Sequence, residues 1–143
     1  MLQRNKAKKT LGFTLVELLL VVAILGTISA IAIPSFVGQR KRARIIGDAK
    51  TNANIIRMAM DTRRAETGIY GAANDYEYNI QSDGSYTRPT PDIIPSFTPK
   101  GNSKMSYKIT IKEGGLAYDL EVSEGGKLVV TADQNGDVQE VKK

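Results

Sequence analysis

Hydrophobic positions along the chain change their spacing three times, and each change marks a different element. From Leu18 to Val37 every residue is apolar or small, interrupted only by Gly26, Thr27, Ser29, Pro34 and Ser35, and none is charged. Twenty helical residues at about 1.5 Å each cover roughly 30 Å, the thickness of a bilayer's hydrocarbon core, so this run is expected to cross a membrane. Beyond Gly38-Gln39-Arg40-Lys41-Arg42-Ala43-Arg44 the apolar residues thin out. Ile46, Ala49, Ala53, Ile56 and Met60 then recur at spacings of three and four, which places them along one side of an amphipathic helix. Gly68 supplies its C-terminal stop. A single helix from Phe13 to Thr67 would be about 80 Å long, with its second half in water and its weak points at Pro34 and Gly47.

From Ile69 to Lys104 periodicity is lost. Asn, Asp, Ser, Thr, Gly and Pro dominate, including Pro89, Pro91, Pro95 and Pro99, and an extended connecting loop is expected. Inside it Tyr76 to Ile80 alternates as a strand does, and Asp83-Gly84 could turn the chain back into Tyr86 as a small hairpin. The last third alternates clearly. Met105, Tyr107, Ile109 and Ile111 form one strand and Leu116, Tyr118, Leu120 and Val122 a second, separated by Gly114-Gly115. After Gly125-Gly126, Leu128, Val130 and Ala132 make a third, and Val138 to Val141 a fourth beyond Asn135-Gly136. Such spacing predicts an antiparallel meander with one apolar face, and the Ile46 to Met60 stripe is the only helical surface available to cover it. The expected class is α+β, divided into residues 1–12, a membrane helix 13–37, an amphipathic helix 38–68, a loop 69–104 and a sheet 105–143.

Composition narrows the chemistry. The chain of 143 residues has neither Cys nor His. Disulfides, thiolate zinc sites, Ser-His and Cys-His nucleophilic pairs and the usual transition-metal sites are therefore excluded, and the chain is not expected to be an enzyme. Lys and Arg outnumber Asp and Glu by 20 to 15, which first suggests an anionic partner. Four of those cations, Arg4, Lys6, Lys8 and Lys9, precede the apolar run, so removal of residues 1–12 would leave 16 against 15.

The most specific pattern is Gly12-Phe13-Thr14-Leu15-Val16-Glu17 between that basic leader and the uncharged run. A carboxylate just inside an apolar membrane helix is disfavoured and marks function by default. Cutting after Gly12 would expose the α-amine of Phe13 one turn from Glu17, and each group lacks another partner in lipid. Spacing alone permits pairing within one chain or between chains. The plainer alternative is that Glu17 only caps the first turn, where acids are favoured.

On these residues, and on Ala30-Ile31-Ala32-Ile33-Pro34, the chain resembles the type IV filament superfamily, which comprises type IV pilins and the pseudopilins of type II secretion. The resemblance implies cleavage between Gly12 and Phe13 by a membrane prepilin peptidase, N-methylation of Phe13, and bacterial inner-membrane insertion with the N-terminus cytoplasmic and the C-terminal domain periplasmic. It also implies an inner-membrane assembly platform and polymerisation with related subunits through the N-terminal helix, with Glu17 neutralising the amine of an adjacent subunit. The four leader cations agree with that orientation. Pro34 removes a helical hydrogen bond, and in the superfamily the stretch before the matching proline can unwind in the filament. The other reading is an ordinary membrane-helix proline. Without a C-terminal disulfide loop, a secretion pseudopilin is favoured over a surface pilin or a competence-type pseudopilin.

Other features pull less strongly. Arg40, Lys41, Arg42 and Arg44 lie on the side that should be translocated, against the positive-inside preference. They read as a solvated helix face beside headgroups, as a positive surface for acidic residues of a neighbouring subunit, or as the mark of an inverted orientation. Without aromatic interleaving, no nucleic-acid partner is expected. Asp133, Asn135 and Asp137 place oxygens at alternate positions, as calcium loops do, but Asn135-Gly136 as a hairpin turn explains them without a metal, and no cofactor is expected. Tyrosines 70, 76, 78, 86, 107 and 118 could be imagined as an electron path, yet strand alternation assigns Tyr107 and Tyr118 to the core. Ala30-Ile31-Ala32 mimics a signal-peptidase site, and a signal-anchored periplasmic binding protein is the alternative of another class. Binding at a filament tip is a third.

Overall fold

The computed structural model describes residues 12–80, 85–101, 104–136 and 138–141. One long helix is followed by six strands, and the chain divides into two compact units, Met1–Arg40 and Lys41–Lys143. Helix α1, Leu15–Thr67, has 53 residues and runs unbroken through Pro34, whose ring nitrogen cannot donate to the carbonyl of Ala30. It stops where the sequence predicts: Gly68 takes a left-handed conformation (φ 83°) and donates its N–H to Arg64 O at 2.8 Å.

In the first unit α1 meets no other element among the described residues, and its apolar side chains from Leu15 to Val37, like Phe13 before it, are exposed. This helix is long and apolar enough to cross a bilayer.

In the second unit the rest of α1 lies against an antiparallel sheet of six strands in the order β2-β1-β3-β4-β5-β6. The strands are β1 (Asp75–Ile80), β2 (Tyr86–Thr87), β3 (Met105–Lys112), β4 (Ala117–Glu124), β5 (Lys127–Asp133) and β6 (Gln139–Glu140). Ala49, Ala53, Ile56 and Met60 are fully buried on the helix, the two alanines leaving room for the sheet to come close. Against them stand Met105, Tyr107, Ile109 and Ile111 of β3, Tyr118, Leu120 and Val122 of β4, and Val130 and Ala132 of β5. Alternation thus placed the inner face of β3 and most of β4 and β5 correctly, and the fold is the expected helix on an antiparallel sheet.

Details differ from expectation for local reasons. Ile46 is only partly buried and lies outside the core, while Asn52 takes a fully buried place on the stripe. Leu116 precedes β4 in the turn and is exposed. The fourth strand shrinks to Gln139–Glu140 paired with Thr131 and Val130. A register shift between Val122 and Ser123 sets Leu128 opposite Ser123, leaving Leu128 on the surface.

The largest difference concerns residues 69–104. Strand β1 hydrogen-bonds to β3 from Asp75↔Thr110 to Asn79↔Ser106, so it belongs to the main sheet, with β2 at the edge. The turn expected at Asp83-Gly84 lies outside the described residues. Tyr70, Ile93, Ile94 and Phe97 enter the core from this stretch. Two polar clasps hold it. Arg88 donates to Asp92 (2.6 Å), Pro95 O (2.8 Å) and Phe97 O (3.2 Å), while Asp92 also accepts from Tyr78 (2.7 Å) and from the Ile94 N–H (3.1 Å). At the other end Tyr70 N–H donates to Gly115 O at 2.8 Å. A Cβ on Gly115 would sit 2.6 Å from Gly71 O, and φ is 99°, so only glycine fits there.

Candidate functional site

The junction singled out by the sequence sits at the start of α1. Gly12, Phe13 and Thr14 are exposed and outside the helix, and among the described residues nothing beyond the adjoining chain comes within 4 Å of where a Gly12 Cβ would be. The Gly12–Phe13 bond thus lies in an exposed segment ahead of the helix. One residue later the chain closes into a capping box. Glu17 N–H donates to Thr14 Oγ1 at 3.2 Å, and Glu17 Oε2 accepts from both Thr14 N–H and Thr14 Oγ1 at 3.0 Å. Capping, the plainer role set out above for Glu17, is thus what its carboxylate does in the single uncut chain. Among the described residues Oε1 accepts no hydrogen bond, so one oxygen stays available to a cation. A cut after Gly12 would turn the Phe13 amide nitrogen into an amine close to this carboxylate.

Phe13 itself is 83% exposed and Ile31 80%. Pro34 is exposed within the same helix, so the candidate cleavage residues Gly12 and Phe13 and the candidate assembly residues Phe13, Glu17 and Pro34 all lie on the first unit. Arg40, Lys41, Arg42 and Arg44 follow, also exposed, with the Arg40 guanidinium 5.6 Å from the centre of the Phe36 ring.

The remaining candidates stand apart. Asp133 accepts from the backbone N–H (2.8 Å) and the side-chain amide (3.2 Å) of Asn135, the geometry of a turn closed by its own side chains. Asp137 lies outside the described residues, and no group of three His, Cys, Asp or Glu gathers among those described. Of the tyrosines, Tyr70 and Tyr118 meet edge to face at 4.8 Å, and Phe97 bridges Tyr78 (5.9 Å) and Tyr107 (5.3 Å). These are core contacts. Burial pushes the phenols of Tyr78, Tyr107 and Tyr118 well above their ordinary range.

Two residues went unnoticed in the sequence. Asn52, fully buried, donates to Tyr107 Oη (2.7 Å) and Lys100 O (2.8 Å) and accepts from Lys100 N–H (2.8 Å), tying α1, the loop and β3 together. Asp92 is the second. Burial would raise its carboxyl, but hydrogen bonds from Arg88 and Tyr78 outweigh that and hold it below its ordinary value of 3.8. An Asn on an apolar helical stripe was a readable signal for the first, while nothing local marks the second.

Comparison with known proteins agrees with this geometry. Residues 7–33 match the prokaryotic N-terminal methylation motif. The chain is 31% identical over 121 residues to the type IV major pilin protein PilA of Myxococcus xanthus, covering 85% of this chain and 44% of that one. It is 31% identical over 115 residues to the type IV major fimbrial protein FimA of Dichelobacter nodosus, covering 80% and 68%. Against fimbrial protein Q of Moraxella bovis it is 33% identical over 72 residues, 48% of this chain and 45% of that protein. The chain thus spans less than half the length of the Myxococcus and Moraxella bovis relatives. No solved structure matches. An exposed Gly12–Phe13 junction, a capped acid at the head of an uncharged apolar helix and a helix-on-sheet unit together accord with these similarities, and the chain belongs to the type IV pilin family, whose members are filament subunits and not enzymes.

Proposed function

We propose that the chain is made as a membrane-anchored precursor, cut between Gly12 and Phe13 by a prepilin peptidase, methylated on the Phe13 amine, and built into a filament through the first part of α1. The observation that carries this reading is the uncharged helix from Leu18 to Val37, exposed along its whole length and headed by Glu17. Such a surface needs lipid first and neighbouring helices afterwards. Four leader cations set the N-terminus in the cytoplasm and the C-terminal unit on the far side. An assembly platform would draw the processed subunit from the inner membrane. In the filament Glu17 would use its open Oε1 to meet the Phe13 amine of an adjacent copy, fixing how far neighbouring helices slide.

The relatives' names, major pilin and fimbrial protein, favour a surface type IV pilus. A second reading, a pseudopilin of type II secretion or of a competence apparatus, is favoured by the absence of any Cys to close a C-terminal loop. Deleting the gene in its host separates them: loss of sheared surface filaments with secretion intact supports the pilus, and the reverse supports the pseudopilin. Processing has its own test. Mass spectrometry of assembled protein is expected to find Phe13 first, carrying one added methyl, and polymers that begin at Met1 overturn the proposal.

A further inference from the structure

The four cations just past the apolar run have no role in processing or in the Glu17 contact. Arg40, Lys41, Arg42 and Arg44 are exposed, and none makes an ion pair among the described residues. Successive helical residues turn by about 100°, so Arg40 and Arg44 share one side of α1 while Lys41 and Arg42 point to others. They form a collar and not a stripe. A single protein partner would be met by one face, whereas a plane of headgroups surrounds the helix on all sides.

Depth points the same way. Val37 ends a run that matches the hydrocarbon core, so residues 40–44 lie about 4.5–10 Å further along the axis. Headgroup and interfacial layers occupy roughly 5–7 Å on each side of that core, and long Lys and Arg side chains reach back to them. Phe36 sits at the rim of the apolar run and offers its ring face to the Arg40 guanidinium. We propose that this collar binds the phosphates of anionic lipids in the leaflet where the apolar helix ends, fixing how deep the unassembled subunit sits. The proposal rests on the membrane-anchored reading above. It accounts for cations placed on the translocated side, where they serve as a stop in the headgroup layer after the helix has crossed.

The collar residues are also tryptic sites, which gives a direct test with the unaltered full chain. The protein is reconstituted with its C-terminal unit outside, in vesicles of phosphatidylcholine alone or with about one-third phosphatidylglycerol, and cleavage after residues 40–44 is timed against cleavage after the exposed Lys127, the first residue of β5. Relative cleavage at the collar should slow about tenfold or more in the anionic vesicles and recover in about 1 M salt, where the Debye length falls to roughly 3 Å. Equal relative rates in the two vesicles overturn the proposal. So does protection in phosphatidylcholine that grows with protein concentration, which would assign the collar to a second copy. If alkaline washing strips the chain from both vesicles, the anchoring reading itself fails and this inference falls with it.

Discussion

Asn52 shows what one side chain can decide. Its amide is fully buried and matched on both its donor and acceptor sides, joining the helix to Lys100 in the loop and to Tyr107 on β3. Asn52→Ala would leave the Lys100 N–H and C=O and the Tyr107 hydroxyl without this partner, at about 1–3 kcal/mol for each group that stays dry. Urea unfolding of the detergent-solubilised chain should therefore show a loss of at least about 2 kcal/mol, and a midpoint like wild type would mean that water fills the gap. Asp92 makes a pH prediction. Its carboxyl is held below 3.8 by Arg88 and Tyr78, so its contribution is present above that value and is lost as pH falls through the lower folded pKa. The buried phenols act in the opposite sense. With folded pKa values raised above 10, Tyr78, Tyr107 and Tyr118 contribute stability that is complete below pH 10 and lost as pH rises beyond it. Melting temperature followed across pH should fall at both ends, and the part of the phenolate absorbance that comes from Tyr78, Tyr107 and Tyr118 should appear only with alkaline unfolding.

Elements differ in how much of them could be read in advance, and the reason is the range over which each is specified. Helix α1 and strands β3 to β5 carry their own periods, 3.6 and 2, so a window of about a dozen residues reveals them and names most of their buried faces. Ile46 failed because the stripe was counted from it in threes and fours, whereas the structure seats Ile45 and Asn52 on the core side instead. The stretch after Gly68 could not be read that way. Ile93, Ile94 and Phe97 have no period, and they are buried because Arg88, Asp92 and Tyr78 clasp the loop across the end of β1. That clasp is a tertiary fact. The cap by Glu17, by contrast, is legible in the sequence, since its partner Thr14 lies three residues away in the same turn. At Gly115 close packing replaces periodicity, since Tyr70 and Gly71 cross directly over it. Gly115→Ala should destabilise the second unit by about 1–3 kcal/mol through both its φ of 99° and the overlap with Gly71 O. Gly114→Ala, with open space around its Cβ position, should cost less in the same unfolding assay.

For the whole molecule the decisive question is whether Glu17 serves its own helix or a neighbouring chain. The structure shows the first role in a single uncut chain, and the proposed function needs the second. Substitution to Ala removes both at once, so a loss of filaments in that variant alone would not say which of the two was responsible. Glu17→Gln separates them, because the amide carbonyl still accepts from Thr14 while the negative charge is gone. Should capping be the whole role, Glu17→Gln inserts and polymerises as wild type does, and Glu17→Ala loses only the roughly 1 kcal/mol of a helix cap. With charge pairing between copies as the basis of assembly, Glu17→Gln still inserts, resists alkaline washing and keeps its helix content by circular dichroism, yet it yields few or no filaments by electron microscopy. Both variants should then fail alike in assembly. Neutralising the carboxylate leaves the Phe13 ammonium of each neighbour unpaired among apolar helices, and a charge without a partner there is disfavoured far more than a lost cap.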